Sequence, residues 1–298
     1  MIGELSALGA ALCWTVSAVL YKEALKEARP IAANTIRCIG TGIFLITVLA
    51  LTGGFEVLVN LQYCVILLAC ASGLIGLGIG DTLYLFSIDL IGVSRAVPIT
   101  CTYPLFSLVW AVLLAGEHVS WQVVVAVAAI VSGIWLLSYE KEAGSKESSS
   151  NKSLFRGVTA ALTTAIVWSV SITLIDLAIE KAPGFEQAFA INAIRIAVLM
   201  IFLLVITPLT GGGLSFLRIT RKNVARLFGG GIIALGLGWF LLALSFMYIP
   251  EAQAVPISST TPLFSTLSGA VFLREKVTVK VAVGSAIIVL GTFLIFLV

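Results

Sequence analysis

The chain has 298 residues, 59% of them hydrophobic and only 11% charged, where soluble globular domains carry about a quarter charged residues. Bilayer rather than water is therefore its main solvent, and ten apolar segments of about 20 residues leave no room for a soluble domain of useful size. A formal net charge of +3 is too small for a nucleic-acid surface, so the expected partners are the lipid bilayer and a small molecule, not nucleic acid.

In chain order, apolar runs bounded by charge, Gly or Pro predict helices over 4–22, 31–52, 63–88, 94–115 and 120–139. A second set follows over 155–178, 186–207, 226–248, 252–273 and 278–297. The start of the chain lacks the basic stretch and small-residue cleavage site of a secretory signal, so the first segment is expected to stay as a helix. Between the sets, 140–154 is polar and Ser-rich and reads as a flexible linker. The expected domains are thus 1–139, the linker 140–154, and 155–298.

Cys13, Cys38, Cys64, Cys70 and Cys101 show no C-x-x-C spacing, and the single histidine, His118, has only Glu117 beside it. A metal site is not expected. The same scarcity removes a Ser/His catalytic pair, and no G-x-x-x-x-G-K-[ST] motif is present, so neither an enzyme nor an ATP-driven pump is indicated. A channel would need a continuous polar pore, which the few scattered polar residues do not supply.

Self-comparison is the most specific signal. AVPITCTYPLFS at 96–107 recurs as AVPISSTTPLFS at 254–265, a spacing of 158 residues, and the same spacing relates Asn34 and Arg37 to Asn192 and Arg195, Gly80 to Gly238, and Glu117 to Glu275. Trp14 and Ser17 match Trp168 and Ser171 at a spacing of 154. The chain reads as a duplicated five-helix unit. An odd number of helices per unit inverts the second copy in the membrane, and charge tests this independently. Loops after the odd-numbered helices and the linker hold 15 of the 18 Lys and Arg, whereas the opposite face holds only Lys181. The basic face, with the linker, is expected in the cytoplasm and both termini outside.

Both copies carry A-V-P-I-x-x-T-x-P-L-F-S followed by a helix ending in Glu, with Trp mid-way along the first helix and Arg early in the second. In these features the whole chain resembles the EamA family of the drug/metabolite transporter superfamily. The resemblance implies an all-α integral membrane protein of ten transmembrane helices that moves small organic metabolites through a cavity between its halves. Amino acids or related compounds, exported from the cell, are the substrates it suggests, with no cofactor; the protein itself is expected in the cell membrane as a monomer or homodimer. It also implies cytoplasmic termini, the reverse of the charge argument. A multidrug exporter of lipophilic compounds and a membrane-embedded lipid-handling protein or enzyme are the competing readings.

Arg37 and Arg195 lie roughly 9 Å inside their helices at about 1.5 Å per residue. An unpaired arginine at the bilayer centre costs on the order of 3 kcal/mol. Either they face the cavity and attract an anionic group, with Asn34 and Asn192 on the same helical face, or they snorkel or pair with helix-end glutamates. Asp81, with Tyr84 three residues on, is the deepest acid of the first half, and its counterpart is Trp239. It reads as a recognition or proton-coupling group, or as a counter-ion to an arginine. Trp14, Trp168 and Tyr103 are candidate cavity walls or packing residues. Pro98, Pro104, Pro256 and Pro262 remove backbone donors inside apolar helices and mark a hinge or simple kinks. Ser72, Gly76 and Gly80, repeated as Gly230, Ala234 and Gly238, read as helix contacts.

Overall fold

The computed structural model describes residues 1–114, 116–143, 151–212, 219–264 and 279–297. The middle of the linker, Arg218, Arg274, Glu275 and the end of the predicted 252–273 helix lie outside them. Among the described residues the chain is helical, without strands. The helices are α1 (Ile2–Ala24), α2 (Pro30–Thr52), α3 (Phe55–Asn60), α4 (Tyr63–Ser72), α5 (Asp81–Ile91), α6 (Val93–Thr100), α7 (Tyr103–Leu113) and α8 (Trp121–Ala143). They continue as α9 (Asn151–Lys181), α10 (Phe185–Thr207), α11 (Arg221–Gly231), α12 (Trp239–Ser245), α13 (Glu251–Ser258) and α14 (Val279–Phe296).

Among the described residues six stretches are long and apolar enough to cross a bilayer: Ile2–Tyr21, Pro30–Thr52, Tyr63–Ile91, Ser153–Lys181, Phe185–Thr210 and Arg221–Ser245. Large apolar side chains such as Ile43 and Ile46 on α2, Val124 and Val125 on α8 and Ile201 and Val205 on α10 stand exposed on the outside. Exposed apolar surface on this scale faces lipid, as in an integral membrane protein.

Several elements depart from the sequence expectation. The predicted 63–88 and 226–248 helices are not continuous α-helix. Each contains a π-helical segment, Gly73–Gly80 and Ile232–Gly238. The runs GLIGLGIG and IIALGLG offer few side chains to hold an α register, and wider turns leave carbonyls short of partners. Asn34 Nδ2 donates to Leu77 O at 2.9 Å, and Asn192 Nδ2 donates to Leu235 O at 2.8 Å and to Gly236 O at 3.0 Å. The two asparagines thereby satisfy what the π-turns leave open.

The 94–115 helix is broken at Cys101–Thr102 into α6 and α7, and the 252–273 helix breaks at Ser259–Thr260. The prolines explain the breaks. Pro256 lies inside α13, whereas Pro104 sits in the first turn of α7, where its missing donor costs nothing. It starts a helix rather than bending one. Hydroxyls satisfy the loosened carbonyls: Thr102 Oγ1 donates to Ile99 O, Ser259 Oγ to Pro256 O and Thr260 Oγ1 to Ile257 O, at 2.7–2.8 Å. Pro98 falls within α6 and Pro262 at the helical turn after the second break. The short α3 is a further unpredicted helix, and the described ends of the linker, 140–143 and 151–154, belong to α8 and α9.

Close packing brings α1 against α11 and α12, and α9 against α4 and α5. Small residues permit the approach. A Cβ on Gly76 would run into Ser171 Oγ, one on Gly80 would lie 2.7 Å from the Trp168 ring, and one on Gly238 2.8 Å from Trp14 Nε1.

Candidate functional site

Where α1, α2, α5, α9 and α12 converge, a cavity of roughly 650 Å³, counted with its solvent-facing space, is lined by Trp14, Tyr21, Arg37, Asp81, Trp168 and Trp239 among others. Its polar centre is an ion pair between Arg37 Nη2 and Asp81 Oδ2, two side chains that are almost wholly buried. The second carboxylate oxygen, Oδ1, accepts from Trp168 Nε1 at 2.7 Å. Arg37 Nε donates to Asn34 Oδ1 at 2.9 Å, and its guanidinium lies 5.0 Å from the Tyr21 ring centroid. Asn34 also donates to Thr82 Oγ1 at 2.9 Å, so its amide is held from two helices. Asp81 is the first residue after the glycine-rich π-segment, which lets α5 approach α9 closely enough for the indole to reach it.

The second arginine is treated differently. Arg195 is 0% exposed and does not line the cavity. Its guanidinium stacks 4.4 Å over the Trp239 ring, Nε donates to Ser72 Oγ at 3.1 Å and Nη1 to Asn192 Oδ1 at 3.2 Å. Nη2 has no hydrogen-bond partner among the described residues. Asp81 and Trp239, 158 residues apart, thus each cover an arginine, one with a charge and the other with a π-face. The alternatives for the arginines narrow accordingly: both are buried rather than snorkelling, and neither meets Glu117, the helix-end glutamate among the described residues. Glu117 instead accepts from the backbone N–H of Glu251 at 2.7 Å and of Ala252 at 3.0 Å, capping α13 rather than the α8 that follows it.

Aromatic rings form most of the wall. Trp168 lies 5.1 Å from Tyr84 and 6.1 Å from Tyr103, centroid to centroid, and Trp14 lies 5.4 Å from Trp239. Tyr103 Oη shares a hydrogen bond of 3.0 Å with Ser258 Oγ, tying α7 to α13. Of the residues singled out from the sequence, Trp14, Arg37, Asp81, Tyr84, Tyr103, Trp168 and Trp239 meet at the cavity, whereas Asn34, Asn192 and Arg195 stand behind it. Sequence reasoning passed over Tyr21, whose hydroxyl donates to Gly230 O at 2.9 Å. It also passed over Glu251, a buried acid at a helix start. Tyr21 sits one turn and three residues beyond Trp14 on α1, a spacing that puts both on one face and could have flagged it.

The comparisons with known proteins agree with this picture of a membrane protein. The EamA-like transporter family model matches residues 1–139 and 155–297. A protein of Archaeoglobus fulgidus described as an uncharacterized transporter is 25% identical over 297 residues, covering 100% of this chain and 99% of its own. The uncharacterized transporter YwfM of Bacillus subtilis is 28% identical over 190 residues, covering 63% of this chain and 58% of its own. A crystal structure with 18% sequence identity superposes with a TM-score of 0.75 over 99% of this chain and 96% of the other, a likeness of fold. The chain belongs to the EamA-like transporter family and is a membrane transporter, not an enzyme.

Proposed function

We propose that this protein is a secondary transporter of small organic metabolites, amino acids or related compounds, exported by alternating access at the central cavity. The observation that carries this reading is a buried ion pair, Arg37 with Asp81, bordering a cavity walled by indole and phenol rings. A charged pair offers both signs to a zwitterion, and the rings offer an apolar surface for its side chain. Helices that are broken or π-helical beside a mid-membrane site are a recurring feature of transporters.

Counting α4 with α5, α6 with α7, and α11 with α12 as single spans, and setting aside the 6-residue α3 as too short to cross a bilayer, gives ten among the described residues. The reading divides them into two inverted five-helix repeats, 1–139 and 155–298, joined by the linker 140–154. Matching contacts support it. Asn34 with Leu77 and Asn192 with Leu235 make the same hydrogen bond at a spacing of 158 residues. Trp14 against Gly238 and Trp168 against Gly80 make the same close approach. Pro256, with the break after it, and the equivalent break before Pro104 are the hinge in this reading. The charge bias puts the linker in the cytoplasm of a cell-membrane protein, with both termini outside.

Thermal stability of the purified protein across a panel of amino acids, sugars, nucleotides and lipophilic cations tests the substrate class. A ligand at 100 times its Kd adds about 2.7 kcal/mol. Stabilisation by amino acids that is lost in Asp81→Asn, together with their uptake into proteoliposomes, is the expected result. Stabilisation by lipophilic cations alone would favour the multidrug reading, which the aromatic walls also suit. No stabilisation by amino acids and no uptake would sink the amino-acid assignment.

A further inference from the structure

Unassigned chemistry lies at the end of α9 away from the linker. Glu251, the first residue of α13, is 0% exposed. Its Oε1 accepts from Thr173 Oγ1 at 2.9 Å, while Oε2 has no hydrogen-bond partner among the described residues. The Ser107 hydroxyl adjoins the carboxyl and is also buried without a partner in hydrogen-bonding geometry. A glutamate at a helix start is normally stabilised as an anion by free backbone N–H groups. Here those groups are taken, because the N–H of Glu251 and of Ala252 both donate to Glu117.

The charged groups acting on Glu251 are Glu117, from the turn before α8, and Asp176, from α9, and both are acids. On α1 the acid at this end, Glu4, pairs with the amino group of Met1. Lys181, the basic residue at this end of α9, is exposed. The described parts of α7 and α12 contribute no cation, and α8 and α14 carry theirs near the opposite ends. A carboxylate withdrawn from water with neither cation nor full hydrogen bonding takes up a proton rather than remain charged, and neighbouring carboxylates press the same way.

Side chains able to carry a proton lie along α9. Ser169, Thr173, Asp176 and Glu180 recur along one face of α9. The stripe begins where Trp110 Nε1 donates to Ser169 Oγ at 2.9 Å, beside Trp168 of the central cavity. It ends in a vestibule lined by Glu117, His118, Asp176 and Glu180. Asp81 is a poorer candidate for proton exchange, since both its oxygens are engaged by Arg37 and Trp168. The residue 158 positions before Glu251 is Val93, so the feature occurs once in the duplicated chain.

We propose that Glu251 is a proton-binding site of this transporter, its carboxyl protonated in the conformation seen and exchanging that proton with the vestibule by way of Asp176. Coupling of the proton to substrate movement rests on the transport reading above, whereas the protonation does not. The test is infrared spectroscopy of the purified full-length protein as pH is raised, with proton release counted by a pH-sensitive dye in weak buffer. At pH 7 an un-ionised carboxyl band is expected in the wild type and in Asp81→Asn. It should vanish in Glu251→Gln, which should also release one proton fewer on alkalinisation. Thr173→Val should move the band to higher frequency by removing a hydrogen bond to the carbonyl oxygen. That second variant decides the matter even if Glu251→Gln does not fold. Absence of the band in the wild type, or a band indifferent to both substitutions, would overturn the assignment. Neither readout uses a substrate, so failure here and failure of the transport reading are separable.

Discussion

Replacing Gly80 by alanine would strike the central site through a single side chain. The new Cβ would lie 2.7 Å from Trp168 Cδ1 and 2.9 Å from Nε1, whereas carbon atoms pack best at about 3.5 Å or more. The indole must therefore retreat by about 0.8 Å. Its hydrogen bond to Asp81 Oδ1, now 2.7 Å, would stretch to the edge of hydrogen-bonding distance. Overpacking costs about 1–3 kcal/mol, and a hydrogen bond to a charged group contributes about 1.5–3 kcal/mol. Together they give about 4 kcal/mol of destabilisation, or roughly 1000-fold in the folded fraction. Equilibrium unfolding in mixed micelles measures this. Trp168→Phe should cost about 2 kcal/mol by losing the donor. The double variant should fall short of the sum by more than 1 kcal/mol, because a phenyl ring can withdraw without losing a hydrogen bond. Additivity within about 0.5 kcal/mol would refute the idea that Gly80 is there to seat the indole.

Three further outcomes follow from the same geometry. Glu117→Ala removes the acceptor for two backbone N–H groups of α13 and should cost about 2 kcal/mol, with Glu117→Gln retaining part of it, both read by unfolding. Removing Asp81 alone leaves Arg37 unpaired and should cost about 3–5 kcal/mol, whereas Arg37→Met combined with Asp81→Leu should recover most of that stability; stabilisation by a bound amino acid, measured by thermal shift, should stay lost in the double variant. Hydrogen bonds from Asn223 and Thr220 hold the Glu27 carboxyl below the usual carboxylate range. The contact between α1 and the start of α11 is therefore fully formed above the ordinary pKa of a glutamate and lost as pH falls through the lowered one. Protection of the Thr220 amide from hydrogen exchange, relative to the intrinsic rate at each pH, should fall on acidification in the wild type, and Glu27→Gln should remove that dependence.

Apolar runs and their duplication made the membrane location and the family legible, because both depend on composition and spacing that survive without knowledge of contacts. Asp81 and Trp168 could be named as candidates, but not joined. They are 87 positions apart, and what unites them is a π-helical segment whose backbone departs from the 3.6-residue period that sequence reading assumes. The asparagines look like ligands on a helical wheel, yet their amides are spent on the carbonyls that the same π-turns expose. The two prolines within each copy of the motif look alike in sequence, but Pro104, a second one, opens a helix, and Pro256, a first one, lies within one. Glu251 was invisible because a glutamate at a helix start normally suggests a solvated cap. Only the competing cap from Glu117, 134 positions away, shows that it is not.

The two copies of the sequence agree where they hold the backbone and differ where they present charge. Gly73 sits against the Arg195 backbone and Gly231 against the Arg37 backbone, each with a Cβ position 2.6 Å from the arginine carbonyl oxygen. Larger residues at either place would force the helices apart, so that pair of contacts fixes the depth of both arginines. The counter-charges are not duplicated. Asp81 faces Arg37, while the matching position puts an indole over Arg195 and leaves one of its nitrogens unpartnered among the described residues. Among the described residues Arg37 has a paired carboxylate and Arg195 has none, and the uncompensated positive charge lies behind the Trp239 wall of the cavity. A substrate carrying an anionic group would gain from that field without displacing Asp81 from Arg37, since Coulombic attraction acts over several ångströms in a low-dielectric interior. Duplication thus accounts for the frame, and the departures from it account for the polarity of the site.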